Sequence, residues 1–336
     1  MALQSIGDLA QGFVLRKQGT ELTRQMDRLT AEVSTGRAAD IPKAVSGNLL
    51  PLADIERALS MAEVQRDTTR IAALDAGIMQ TALSRVGDGA DTLANAALMT
   101  TNGQGAADLG VLAQEAQGTL SDMIGSLNST AAGRALFGGD ASDRAPLAGA
   151  DVLRDALRAE LSAAPDAASV KAALDTFFDS PGGGFATAIY RGGTGETSPY
   201  ALGAGEAVTL RIRGDDAALR DQLKQTAMLS LVADPALGLA EADRVALARE
   251  AGVALRTGQE GVVRLQSQLG FAEERIAQAE SRIETEITSL GIARNDLLSV
   301  DVAESASALE QVQSQLELLY TITARSSRLN LANFLS

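Results

Sequence analysis

Residues 302–322 read VAESASALEQVQSQLELLYTI, and this stretch decides the fold class. Val302, Leu309 and Leu316 fall seven apart, with Val312 and Leu319 in the places between. These are the a and d positions of heptads, which lay one apolar seam along an α-helix and call for a partner helix. Ile322 and Leu329 widen the seam on one side. A partner is legible at the other end of the chain, where Leu22, Met26, Leu29 and Val33 recur at steps of four, three and four. Ile6, Leu9 and Phe13 begin a similar stripe upstream. A one-seam helix is only marginally stable alone in water. Burying a Leu, Ile or Val side chain contributes about 1.5–3 kcal/mol, against about 1–2 kcal/mol of entropy per residue ordered. The two ends are therefore expected to pair. The balance is close, so residues 1–35 and 300–336 are expected to be loosely ordered until neighbouring subunits cover them.

Further helices follow the same logic inward. Leu265, Leu269, Ala272, Ile276, Ala279, Ile283, Ile287 and Leu290 recur at three- and four-residue steps, with Glu273, Glu274, Arg275, Glu280, Arg282 and Glu284 at outward positions. In the N-terminal half, Leu52, Ile55, Leu59 and Ala62 open a stripe that Leu74, Ile78, Ala82, Val86 and Leu93 continue. A glycine-containing break at 101–105 ends it, and Leu109, Leu112, Ala116, Leu120, Met123 and Leu127 form the next.

The middle has a different texture. Residues 182–184 are GGG, 192–195 are GGTG, and Pro181 and Pro199 punctuate the same region. Helical patterns near 151–163 and 168–179 precede an alternating run, EAVTLRIR at 206–213, that predicts a strand. The expected class is mainly α. The expected architecture is a long-helix rod whose N- and C-terminal helices pair as a coiled coil, with a small α/β or β-containing central insert. The corresponding segments are 1–40 with 298–336 as the inner coiled coil, 41–149 with 221–297 as the long-helix part with a short hairpin, and 150–220 as the outer insert.

Composition agrees with helices and excludes most chemistry. Of 336 residues, 46% are hydrophobic but only 3% are aromatic, and there is no Trp, so aliphatic side chains must supply the packing. Net charge is −14 with no basic concentration, which argues against nucleic acid. No run approaches the roughly 20 apolar residues of a membrane span, and the N-terminus MALQSIGDLAQGFVLRKQG lacks the pattern of a cleaved leader. With no His and no Cys, imidazole triads, thiol nucleophiles and most zinc sites are out of reach. Lys occurs only at 17, 43, 171 and 224, never in a Ser-X-X-Lys arrangement. RGGTGETSPY at 191–200 lacks the Lys of a phosphate loop, and its glycines predict a flexible surface turn. Asp140, Ser142 and Asp143 lack the central Gly and terminal Glu of a calcium loop and are expected to be turn chemistry. No enzyme activity, cofactor or metal is expected.

Two motifs carry a resemblance. Residues 29–37, LTAEVSTGR, are similar to the N-terminal pattern of the flagellin superfamily, with Ser34, Thr35, Gly36 and Arg37 matching directly and Gly36 suited to end a helix. At the other end SSRLNLANFLS resembles the family's C-terminal helix. The segment NSTAAGRALFGG at 128–139 resembles the hook-associated junction branch of that family through Gly133, Arg134, Leu136, Phe137, Gly138 and Gly139. Ala135 replaces the usual aromatic there, and AADIPKAVSGN replaces the usual run after Arg37.

The resemblance covers about 1–147 and 222–336. It implies a structural subunit of the bacterial flagellum that forms the junction between hook and filament by helix–helix assembly, with flagellin, the filament subunit, as the alternative. It further implies type III export without a cleaved signal and an extracellular location in the flagellum. The implied partners are further copies in a ring, a neighbouring hook-associated protein, flagellin and an export chaperone, with no nucleic acid and no membrane insertion. Leu22, Met26, Leu29, Val33, Val302, Leu309, Val312, Leu316 and Leu319 are the expected assembly positions.

Overall fold

The computed structural model describes the backbone of residues 2–102 and 106–335, and the side chains of residues 10–100 and 108–325. The chain divides into two compact units, Met1–Glu63 with Thr285–Ser336, and Val64–Glu284. Nine α-helices lie among the described residues: α1 Ala2–Thr35, α2 Ile41–Ala44, α3 Leu50–Asn102, α4 Ala106–Leu127, α5 Ala150–Leu161, α6 Ala167–Asp179, α7 Ala217–Leu231, α8 Glu241–Leu298 and α9 Val302–Leu335. Two antiparallel hairpins accompany them, β1 Thr130–Ala131 with β2 Arg134–Ala135, and β3 Tyr200–Gly203 with β4 Glu206–Val208. The fold is thus mainly α with a small β component. Among the described residues no helix is long and apolar enough to cross a membrane.

In the first unit the helix ends are set by local chemistry. Thr35 is the last residue of α1 because Gly36 turns left-handed, φ 67°, while its N–H donates to the Glu32 carbonyl at 2.8 Å. The start of α9 is capped by Asp301, whose carboxylate accepts from the N–H groups of Ala303 and Glu304 at 2.8 and 3.1 Å.

The second unit holds most of the core. On α3 the buried seam is Ala72, Ala76, Met79, Leu83, Val86, Ala90, Leu93 and Ala97. Leu74, expected on the buried stripe, is 61% exposed, because it lies two residues from both Ala72 and Ala76 and so on the far side of the helix. All six predicted α4 positions, Leu109 to Leu127, are buried. On α8, Leu269, Ile276, Ala279 and Ile283 are buried, while Leu265, Ala272, Ile287 and Leu290 are half-buried. Of the predicted break at 101–105, α3 runs through Asn102 and Gly103–Gly105 lie outside the described residues.

The helix α7 is buried on nearly every side. Two of its polar residues find partners on other helices: Lys224 donates to Asp175 and Asp179 at 2.7 Å each, and Gln222 donates to the Leu255 carbonyl at 3.2 Å. In the 150–220 segment, α5 and α6 follow the predicted patterns closely. The predicted strand 206–213 is shorter: only Glu206–Val208 pairs, with Tyr200–Gly203. The alternation nevertheless persists, since Val208, Leu210 and Ile212 are buried. The GGG run is not a linker. Gly183 and Gly184 press against the backbone and ring of Phe177, so no side chain fits there, and they lead into the π-helical turn Phe185–Ile189.

Candidate assembly surface

In the first unit α1 and α9 run antiparallel. Gly19 lies against Leu319, where an added Cβ would stand 3.3 Å from the Leu side chain, and Gly36 lies beside Val302 at the other end. Along this seam Leu29 and Val312 are buried, each 8% exposed. Leu22, Met26 and Val33 on α1, and Leu309, Leu316 and Leu319 on α9, are half-buried. The heptad positions therefore meet, but two thin helices cover each other only partly. Val302 is 44% exposed and Ile322 46% exposed, at the margin of the seam. Ile6, Leu9 and Leu329 lie outside the described side chains. Beyond the seam, Phe13, Val14, Leu318 and Tyr320 are between 51 and 63% exposed, a share of large apolar surface that a pair of helices does not bury by itself.

The STGR motif ties the two ends of the chain together. The hydroxyls of Ser34 and Thr35 donate to the Ala31 carbonyl at 3.0 and 2.7 Å, closing the last turn of α1. After Gly36 the chain pairs with the connection between α8 and α9. Ala38 N–H donates to the Leu298 carbonyl at 2.8 Å, and Val300 N–H donates to the Gly36 carbonyl at 3.2 Å. Arg37 donates from Nη2 to the Asn295 side-chain oxygen at 2.5 Å. Sequence reasoning found the helix stop in Gly36 but not the partner Asn295, which no local spacing announces.

The second motif lies in the other unit. Ala132 and Gly133 both take left-handed backbone, φ 49° and 77°, giving the tight turn of the β1–β2 hairpin. Arg134 donates to Asp75 Oδ2 at 2.8 Å, and Tyr200 donates its hydroxyl to the same oxygen at 2.5 Å. Asp75 is 1% exposed, so its charge is held by these two donors. Burial pushes the Tyr200 pKa up, and its hydrogen bond to Asp75 adds to the rise. Leu136 and Phe137 are buried in the core. Gly138 and Gly139 then pass so close to Ala141, Gly193 and Gly195 that no side chain fits.

That contact corrects the expectation for 191–200, which is pinned rather than a flexible surface turn. Gly193 N–H donates to the Gly138 carbonyl at 2.8 Å, and Gly195 N–H donates to Asp140 Oδ1 at 3.0 Å. Tyr190 donates its hydroxyl to the Gly193 carbonyl at 2.8 Å, and Arg213 reaches the Thr194 carbonyl at 2.6 Å. The GRALFGG motif is thus an internal fastening of the second unit, while α1 and α9 of the first leave part of their apolar seam and flanks exposed.

Residues 257–335 match the family model described as the bacterial flagellin C-terminal helical region. The fold matches that of FlgL from Bacillus cereus with a TM-score of 0.52 and 14% sequence identity, over 72% of this chain and 100% of that one. A protein of Vibrio parahaemolyticus described as a flagellar hook-associated protein matches with a TM-score of 0.52 and 13% identity, over 74% of this chain and 96% of that one. No curated protein matches the chain in sequence. The chain carries a flagellin-type C-terminal helical region on a fold shared with these two proteins.

Proposed function

We propose that the chain is a structural subunit of the bacterial flagellum that joins hook to filament, the role of flagellar hook-associated protein 3. One observation carries the proposal. A flagellin-type C-terminal helix, with a half-covered seam, sits on a fold that matches the whole of the solved FlgL chain. The activity is association itself. Leu22, Met26, Leu29 and Val33 with Leu309, Val312, Leu316 and Leu319 hold the two terminal helices together, and the apolar surface left outside is covered by neighbours.

On this proposal 1–40 with 298–336 form the inner layer, 41–149 with 221–297 the surrounding helices, and 150–220 the outward insert. The partners are copies of the chain in a ring, a hook-associated protein on the hook side and flagellin on the filament side. Before type III export a chaperone covers the C-terminal helix. No catalytic step is involved. Electron microscopy of a deletion strain tests the role: bare hooks with filament protein excreted into the medium are expected. Filaments still seated on their hooks overturn it, and filament loss without excreted filament protein points to flagellin instead.

A further inference from the structure

On α1, Val14, Lys17, Glu21 and Arg24 follow one another at steps of three, four and three, so they form one stripe along the helix. On α9, Glu310, Gln313, Glu317 and Tyr320 repeat the same steps. All eight side chains are exposed. At about 100° per residue, the stripe stands roughly 140° round α1, and roughly 100° round α9, from the seam that joins the two helices. Arg28 of α1 pairs with Asp40, whereas Lys17, Glu21, Arg24, Glu310 and Glu317 form no ion pair with any described residue.

Laid antiparallel, the stripes match position by position. Val14 meets Tyr320, Lys17 meets Glu317, Glu21 meets Gln313 and Arg24 meets Glu310. Apolar faces apolar, both cations face carboxylates, and the remaining carboxylate faces an amide. One register serves all four pairs. It is four residues out of step with the register inside the chain, where Gly19 lies against Leu319 and Gly36 beside Val302. The pairs therefore belong to a contact that the chain does not make with itself.

We propose that α1 of one copy docks its Val14–Arg24 stripe on the Glu310–Tyr320 stripe of α9 in a second copy of this chain, antiparallel and displaced by about 6 Å along the axis. The occupant is a second copy because both halves of the charge match are written in this chain. Two different patches meeting head to tail add copies round a ring or up a helix instead of closing a dimer. Single exposed ion pairs are weak. Repeated at every contact they fix register and reject a slipped neighbour. This inference names the self-contact within the proposed flagellar role and rests on it.

Charge reversal in the full chain, expressed in the flagellated cell, tests the register, with incorporation into purified hook–filament assemblies as the readout. K17E/R24E alone and E310K/E317K alone place like charges opposite one another, and each is expected to lower incorporation about tenfold or more. Co-expressing the two variants is expected to restore it to within about twofold of the parent, because alternating copies put Glu against Lys at one contact and native charges at the next. That rescue in trans also shows that both variants fold. The register is overturned if either variant alone incorporates as the parent does. It is equally overturned if only the fourfold variant recovers, which locates the pairs within one chain. Absence of the parent chain from the assemblies overturns the flagellar role and the register with it, whereas its presence beside unaffected variants overturns the register alone.

Discussion

Arg37 and Asn295 stand 258 positions apart in sequence and are joined by a 2.5 Å hydrogen bond from Nη2 to the amide oxygen. The bond sits where the backbone after α1 pairs with the connection between α8 and α9, so it fastens the chain's first helix to its last turn of direction.

Removing that fastening is expected to loosen the junction locally without unfolding the chain. Arg37→Ala loses one exposed hydrogen bond, a cost of about 0.5–1.5 kcal/mol. Arg37→Lys is expected to recover little, since a point charge does not reproduce the planar fork. Asn295→Ala should match Arg37→Ala, and the double variant should be no worse than either alone. Hydrogen exchange of the amides of Ala38 and Val300, which donate across this junction, checks all three; additive effects would show that the two residues act separately.

The seam offers a second test. Val312 is buried against α1, and Val312→Ala is expected to cost about 1–2 kcal/mol of pairing between the terminal helices. Leu316→Glu puts a charge at a half-buried position and is expected to cost about 1–3 kcal/mol and abolish incorporation into flagella. Thermal melting followed by circular dichroism reads the first and assembly the second. Normal incorporation of the Glu variant would remove Leu316 from the assembly seam.

Much of this was legible in the sequence because helical burial is periodic. Leu309, Val312, Leu316 and Leu319 reveal their seam by spacing alone, as do the α4 residues. What escaped did so for physical reasons. Leu74 is the more hydrophobic choice, yet the seam of α3 runs through Ala72 and Ala76, because small residues let neighbouring helices approach closely. In α7, Gln222, Lys224, Thr226 and Ser230 look like a solvent face. Three of them are buried with partners outside the helix, Lys224 being held by Asp175 and Asp179 on α6, and Ser230 is buried while donating to the Ala227 carbonyl one turn back. The glycines of 192–195 suggest mobility, but two of them are there to make room for Asp140.

A half-buried phenol, Tyr190, and a buried one, Tyr200, predict how the second unit responds to alkali. Burial raises the pKa of both Tyr190 and Tyr200; the Asp215 charge adds to the first and the Asp75 hydrogen bond to the second. A tyrosine whose folded pKa lies above its unfolded value of about 10 contributes stability that is complete below that pH. The contribution is lost as pH rises through the folded value. Stability measured by denaturant titration is therefore expected to fall above about pH 10. Tyr200→Phe, which removes the hydroxyl between Arg134 and Asp75, should cost about 1–2 kcal/mol at neutral pH and flatten part of the alkaline slope. An unchanged slope in that variant would mean that Tyr200 ionises as readily folded as unfolded.

The pinned loop makes the last prediction, and it separates steric room from backbone freedom. At Gly193 a Cβ would collide chiefly with the Asp140 carboxylate and would stand 2.9 Å from the Ala141 backbone nitrogen, and this glycine has no left-handed backbone to strain. Gly193→Ala is therefore expected to destabilise by about 1–3 kcal/mol through overpacking alone. Shortening Asp140 to Ala removes the colliding oxygen and costs the hydrogen bond from Gly195 N–H, about 0.5–1.5 kcal/mol. Combining the two should be better than the sum of the single losses, because shortening Asp140 removes the worse collision and leaves only the close approach to the Ala141 nitrogen. Gly139 behaves differently. Its φ is 61°, and a Cβ would also meet the Gly193 and Gly195 carbonyls at 2.9 and 2.8 Å, so Gly139→Ala adds strain to collision and Asp140→Ala should not rescue it. Equal rescue of both glycine variants would show that the loop is held by something other than the close approach of 193–195 to Asp140.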